Sequence, residues 1–180
     1  CHPITVTLYI DENVPIHVIA DTEKINKIIM NFVDNSLKFT EKGKIDVSVY
    51  KSLDIPIRFK RKMKKLNGQI SEETYLKIVI KDTGKGISQE DIENLFQTHE
   101  YVKLGRSSDG YTGLSMLICK SFVESMGGGI ECESVIGKGT MFTVWLEVTT
   151  FPTDPMYLYG NISNSWEIEH DKHKEIFTSQ

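Results

Sequence analysis

Asn31, Asn35 and Lys38 follow one another at steps of four and three residues, so on a helix all three share one face. Two amides and an ammonium on one face can meet a phosphate chain. A plain amphipathic helix with its polar side turned to water would carry the same spacing. Farther along, Asp82 follows a β-type run and precedes Gly84 and Gly86. The carboxylate is a hydrogen-bond acceptor, and the two glycines let another group approach the backbone without a Cβ in the way. Asp-x-Gly after a strand is also a common turn. A third string, Gly110-Tyr111-Thr112-Gly113-Leu114-Ser115, opens an apolar helical pattern. Backbone N–H groups at a helix start point at anions with help from the helix dipole, although an ordinary capped helix begins the same way.

Positioning these residues requires helices and strands, and the periodicity supplies both. Residues Ile4 to Ile10 alternate as a strand, and Ile16 to Ala20 read as a second, short one. Asp21 or Thr22 caps a helix whose apolar positions Ile25, Ile28, Ile29, Phe32, Val33, Ser36 and Leu37 recur to about Phe39, with Gly43 past its end. Strands follow at Lys44 to Tyr50 and Tyr75 to Ile80, a capped short helix at Ser88 to Leu95, and a longer helix at Thr112 to Met126. Ile130 to Val135 and Thr140 to Val148 form a closing hairpin through Ile136-Gly137-Lys138-Gly139. The whole is an α/β layer pair. Gln97 to Tyr111 lack a period and form a candidate lid, residues 52–74 look like an insertion, and residues 151–180 read as a linker or tail after a domain of residues 1–150.

Composition narrows the classes. An apolar fraction of 39% and a charged fraction of 26% are ordinary for a water-soluble domain, and no apolar run approaches the roughly 18 residues of a membrane span. The net charge of −4 points neither toward nor away from nucleic acid. Cys1, Cys119 and Cys132 are odd in number with no C-x-x-C spacing, so neither a disulfide framework nor a zinc site is expected, and a reducing, cytoplasmic setting is. His170-x-x-His173 is too weak a signal for a metal. The chain opens Cys1-His2-Pro3 without an initiator Met, which leads to the expectation of a piece cut from a longer protein.

The four segments together resemble the nucleotide-binding domain of histidine kinases, within the GHKL superfamily, over roughly Ile4 to Val148. Residues 21–40 resemble its asparagine box, Asp82-Thr83-Gly84-Lys85-Gly86 its first glycine box, Gly110 to Leu117 its second, and Asn94-Leu95-Phe96-Gln97 the start of its phenylalanine box. Tyr111 and Ser115 stand where the family has glycines, and Thr98-His99-Glu100 depart from the phenylalanine box. The resemblance implies a Bergerat fold, a two-layer α+β sandwich with a mixed, mostly antiparallel sheet and helices on one face. It implies ATP and Mg²⁺ as cofactors. Asn35 would ligate the metal with Asn31 supporting it, Lys38 would touch phosphate and Phe39 would lie against adenine. Asp82 would accept from the adenine amine beside Gly84, Gly86 and Ile87. Gly110, Thr112, Gly113 and Leu114 would present backbone donors to phosphate, and Lys103 and Arg106 could reach it from the lid.

The implied activity is transfer of the γ-phosphate to a histidine on a separate dimerisation domain. His2, His17, His99, His170 and His173 lie outside any segment resembling the family's acceptor helix. Related ATPases of the superfamily place a water-activating Glu one helical turn before the metal Asn. Asn31 occupies that place here, which favours a kinase over a hydrolase. The altered second glycine box and phenylalanine box leave a rival from another class, a pseudokinase-like module serving as a regulatory platform. Expected partners are the histidine-bearing dimerisation domain and a response regulator receiver domain. Membrane attachment would come only through other parts of the parent protein, and the isolated domain is expected to be a monomer. The basic run Arg58 to Lys65 reads as a solvated hairpin, with no nucleic acid expected.

Overall fold

A computed structural model describes residues 3–59, 74–96, 114–150 and 177–178. The first strand, β1 (Ile4–Ile10), lies parallel to β3 (Gly43–Ser52) in a register that pairs Ile4 with Gly43 and Ile10 with Val49. Parallel neighbours need a crossover between them. Here it is built from β2 (Val18–Ile19) and the helix α1 (Thr22–Phe39). The expected strand from Ile16 to Ala20 shrinks to two residues because the backbone it meets is only Thr149 and Thr150, the last two residues of β6 (Gly139–Thr150).

Beyond β3 the sheet continues antiparallel through β4 (Thr74–Asp82) to β6, whose other partner is β5 (Gly129–Val135). The order is β2-β6-β4-β3-β1-β7, where β7 (Phe177–Thr178) pairs antiparallel with β1 through Val6 and Thr5. The sheet is thus mixed and mostly antiparallel, as the resemblance implies. Pairing carries β3 past Tyr50 to Ser52 and β4 past Ile80 to Asp82, one pair at a time, and so places Asp82 at the strand's end.

The first two helices start where their caps dictate. Asp21 accepts from the Lys24 N–H at 3.1 Å and begins α1; Ser88 accepts from the Asp91 N–H at 3.1 Å and begins α2 (Gln89–Asn94). The helix α3 (Leu114–Ser125) ends at Gly127, whose φ of 70° a side chain would resist. Residues 112 and 113 of the expected Thr112 to Met126 helix lie outside the described residues.

The core forms where α1 and α3 lie on the sheet. Ile28 and Phe32 from α1 and Met116, Cys119 and Val123 from α3 are buried against Ile78, Ile80, Phe142, Val144 and Leu146. The Phe32 and Phe142 rings sit 4.6 Å apart. Each such side chain contributes about 1.5–3 kcal/mol relative to exposure. Alternation along β6 sends Trp145 to the opposite face, where it is buried with Ile55 and Tyr75 and packed against Phe59. The start of the expected insertion therefore forms a 3₁₀ turn, Ile57–Phe59, and covers part of the sheet's second face. Arg58, read from the sequence as one residue of a solvated basic run, forms an ion pair with Glu131. Residues 60–65 of that run lie outside the described residues.

Candidate functional site

The buried carboxylate of Asp82 joins three separate parts of the chain. Its Oδ1 accepts from the Gly84 N–H at 2.9 Å and from the Thr140 N–H at 3.2 Å, and its Oδ2 accepts from the Ser36 hydroxyl at 3.1 Å. One strand end, one loop, one strand start and the last turn of a helix are thereby tied to a single side chain. A carboxylate has about four acceptor positions, so the three described donors leave one acceptor position on Oδ2. Beneath this arrangement the Ser134 hydroxyl accepts from the Ile87 N–H at 2.8 Å, donates to the Gly139 carbonyl and lies 3.0 Å from the Thr140 hydroxyl.

The glycines after Asp82 are required first by the protein itself. A Cβ on Gly84 would fall onto the Phe39 carbonyl oxygen, and one on Gly86, whose φ is 73°, would fall onto the Val135 carbonyl oxygen. The Lys85 N–H donates to the Phe39 carbonyl at 3.1 Å, and the Gly137 N–H donates to the Lys85 carbonyl at 2.8 Å. The loop is clamped between the end of α1 and the β5–β6 turn. Sequence reasoning assigned the missing Cβ atoms to the approach of a ligand; the close packing of backbone on backbone already demands them.

Beside the clamp opens a cavity of about 820 Å³ lined by Lys38, Phe39, Glu41, Lys42, Thr83, Gly84 and Lys85. That size is within the roughly 300–1,000 Å³ usual for small-molecule sites. Three ammonium groups against one carboxylate make it receptive to anions, and the Phe39 ring offers an aromatic surface. The Thr40 hydroxyl, next to Gly84, is buried without a hydrogen-bond partner among the described residues.

Of the residues singled out by sequence, Asn31, Asn35, Lys38 and Phe39 lie on α1, and Asp82, Gly84, Gly86 and Ile87 run from the end of β4 into the clamped loop. Asn31 reaches α3, where its amide hydrogen-bonds the Cys119 sulfur; burial nevertheless pushes that thiol up to about 11. Leu114 is the first residue of α3. Lys103, Arg106, Gly110, Thr112 and Gly113 lie outside the described residues. No group of three or more His, Cys, Asp or Glu is placed to hold a metal among the described residues. The Asn35 amide oxygen is of the hard type that suits a cation such as Mg²⁺.

Sequence reasoning missed Ser36, Thr140, Ser134 and Lys85. Ser36 fits the apolar period of α1 and was assigned to its core side, where it is indeed buried, but its hydroxyl faces Asp82. Thr140 belongs by sequence to the closing hairpin alone, yet its N–H reaches the same carboxylate. A buried serine in an otherwise aliphatic stripe was the one available signal.

The fold is shared with solved structures. One is the crystal structure of full-length ShkA in complex with AMPPNP, which matches with a TM-score of 0.59 and 21% identity over 82% of this chain and 26% of that one. Among curated proteins, hybrid signal transduction histidine kinase B of Dictyostelium discoideum is 32% identical over 76% of this chain and 6% of its own length. The signal transduction histidine-protein kinase BarA of Escherichia coli K12 is 34% identical over 81% of this chain and 14% of its own length. The chain thus spans a small fraction of these relatives. The family model described as histidine kinase-, DNA gyrase B- and HSP90-like ATPase matches residues 20–150, which takes in α1, the Asp82 loop and the β5–β6 hairpin. By that match over most of its length, on a fold that brings these segments to one carboxylate, the chain belongs to the family of histidine kinase-, DNA gyrase B- and HSP90-like ATPases.

Proposed function

We propose that this domain binds Mg-ATP and positions its γ-phosphate for transfer to a histidine on a dimerisation domain of the same protein, as the catalytic domain of a two-component sensor histidine kinase, with a response regulator receiver domain downstream. The observation that carries this reading is the Asp82 carboxylate, held by Ser36, Gly84 and Thr140, next to a cavity lined by Phe39 and three lysines. The spare acceptor on Asp82 suits an exocyclic amine, the Phe39 ring suits a flat base, and Lys38 suits phosphate. Asn35, on the same helix face as Lys38, supplies an amide oxygen for the cation. When bound, Mg²⁺ neutralises charge on the phosphates.

Phosphoryl transfer depends on positioning and charge stabilisation more than on covalent chemistry by the protein. This chain contributes the positioning. The position one turn before Asn35 holds Asn31, an amide that cannot serve as a general base, so water is not activated there. That disfavours hydrolysis and leaves the phosphate for an acceptor side chain.

Calorimetric titration with ATP, with and without Mg²⁺, tests the reading. Magnesium-dependent binding that is lost in Asn35→Ala, followed by phosphorylation of a supplied acceptor-helix domain, is expected. A folded protein that binds no nucleotide at millimolar concentration would sink it and would leave a regulatory platform.

A further inference from the structure

We infer that Ser36 is the positioning residue that makes this site prefer a purine with an exocyclic amine over one with an oxo group; this rests on the nucleotide-binding reading above. Ser36 is 2% exposed and Asp82 4% exposed, so the pair exchanges little with water. The Gly84 and Thr140 N–H groups both donate to Oδ1, so the acceptor positions of that oxygen are taken and only Oδ2 has capacity left. The Ser36 hydroxyl is the described donor to Oδ2. It occupies one of the two acceptor positions of Oδ2, and so determines which one remains.

The hydrogen-bond pattern that follows is one-sided. An ionised carboxylate only accepts, and a hydroxyl whose proton is committed to it can likewise only accept from elsewhere. A ligand group placed at Oδ2 must therefore bring a donor. The amine of an adenine-type base does so, whereas the oxo group of a hypoxanthine-type base meets lone pair against lone pair. Sites built to hydrogen-bond a polar group discriminate strongly against an analogue that cannot form the bond.

Ser36 sits in the last turn of α1, which also carries Lys38 and Phe39. The same element thus holds the carboxylate and lines the cavity. Removal of the hydroxyl should weaken recognition of the amine while leaving contacts to phosphate and to the ring face in place.

The test is calorimetric titration of the wild-type chain, Ser36→Ala and Ser36→Cys with ADP and IDP, with urea denaturation of each to establish folding. The wild type is expected to prefer ADP. Ser36→Ala should lose about tenfold in ADP affinity, the loss of one aligned hydrogen bond to a charged group, and less than about twofold in IDP affinity. Ser36→Cys, a weaker donor of similar shape, should fall between and serves if the alanine variant is unfolded. Equal losses for both nucleotides, or an unchanged ratio, would mean that Ser36 is merely structural and would overturn the inference. Absence of binding of either nucleotide by the folded wild type would overturn the nucleotide reading itself, a different outcome from an unchanged ratio.

Discussion

Lys85 holds the end of α1 twice: its N–H donates to the Phe39 carbonyl at 3.1 Å, and its ammonium lies 4.5 Å from the centre of the Phe39 ring. The second contact occupies a face of the aromatic surface that the cavity presents. A base stacking on that face must displace the ammonium, and an exposed cation–π contact is worth about 0.5–1 kcal/mol. Lys85→Ala is therefore expected to raise ADP affinity about threefold. Calorimetry decides: a fall in affinity would place Lys85 among the phosphate ligands instead.

Gly84 has no room for a side chain. An added methyl would press on the Phe39 carbonyl, and backbone on both sides is fixed by hydrogen bonds. Gly84→Ala is expected to cost about 2 kcal/mol in urea denaturation and to weaken nucleotide binding by disturbing Asp82. A variant as stable as the parent would show that the clamp is loose.

Asp82→Asn tests the polarity of the hub. The amide oxygen can still accept from the Gly84 and Thr140 N–H groups, and the Ser36 hydroxyl can turn to accept from the new NH₂ group, so the fold should persist. A donor then faces the ligand where an acceptor stood. ADP affinity is expected to fall about a hundredfold with a small change in stability, read by calorimetry and thermal melting. Unchanged affinity would remove Asp82 from the binding surface.

Burial makes the two described cysteines unreactive. Desolvation raises Cys119 from the ordinary 9.0 to about 11, and desolvation together with the nearby Asp82 and Glu133 charges raises Cys132 to about 12. A Cys1→Ser variant at pH 8 is expected to react with a thiol reagent only after denaturation. The raised values also fix the sign of a pH effect. Above pH 9 the unfolded thiols lose protons that the native ones keep, so this contribution to stability is complete below pH 9 and is lost as pH rises through about 11 and 12. Urea midpoints that climb above pH 9 would contradict it.

Much of the architecture was legible because it follows short-range rules. The strand Ile4–Ile10 and the helix from Asp21 to Phe39 appear where alternation, capping and the 3.6-residue period put them. What the sequence hid depends on partners distant along the chain. The length of β2 is set by the end of β6, and the cover over Trp145 comes from Ile55 and Phe59, residues of a stretch that read as an insertion. The candidate site divides the same way. Asn35, Lys38, Asp82 and Gly84 stand out by their spacing, whereas Thr140 carries no local mark and Ser36 only that of a serine in an aliphatic stripe, because their significance lies in reaching a carboxylate 58 and 46 residues away.

The double covering of β4 and β6 has a mechanical consequence. Helices shield one side of these strands, and Ile55 and Phe59 shield part of the other around Tyr75 and Trp145, while at the far edge Leu8, Tyr9 and Ile10 of β1 stay open to water. Amide protons should exchange slowest along the two insulated strands and fastest along β1. Asp82 and Thr140 emerge from the insulated pair, so the carboxylate of the candidate site is anchored on the two strands that are covered on both faces. A domain built in this way can yield at its rim while its candidate site keeps its shape.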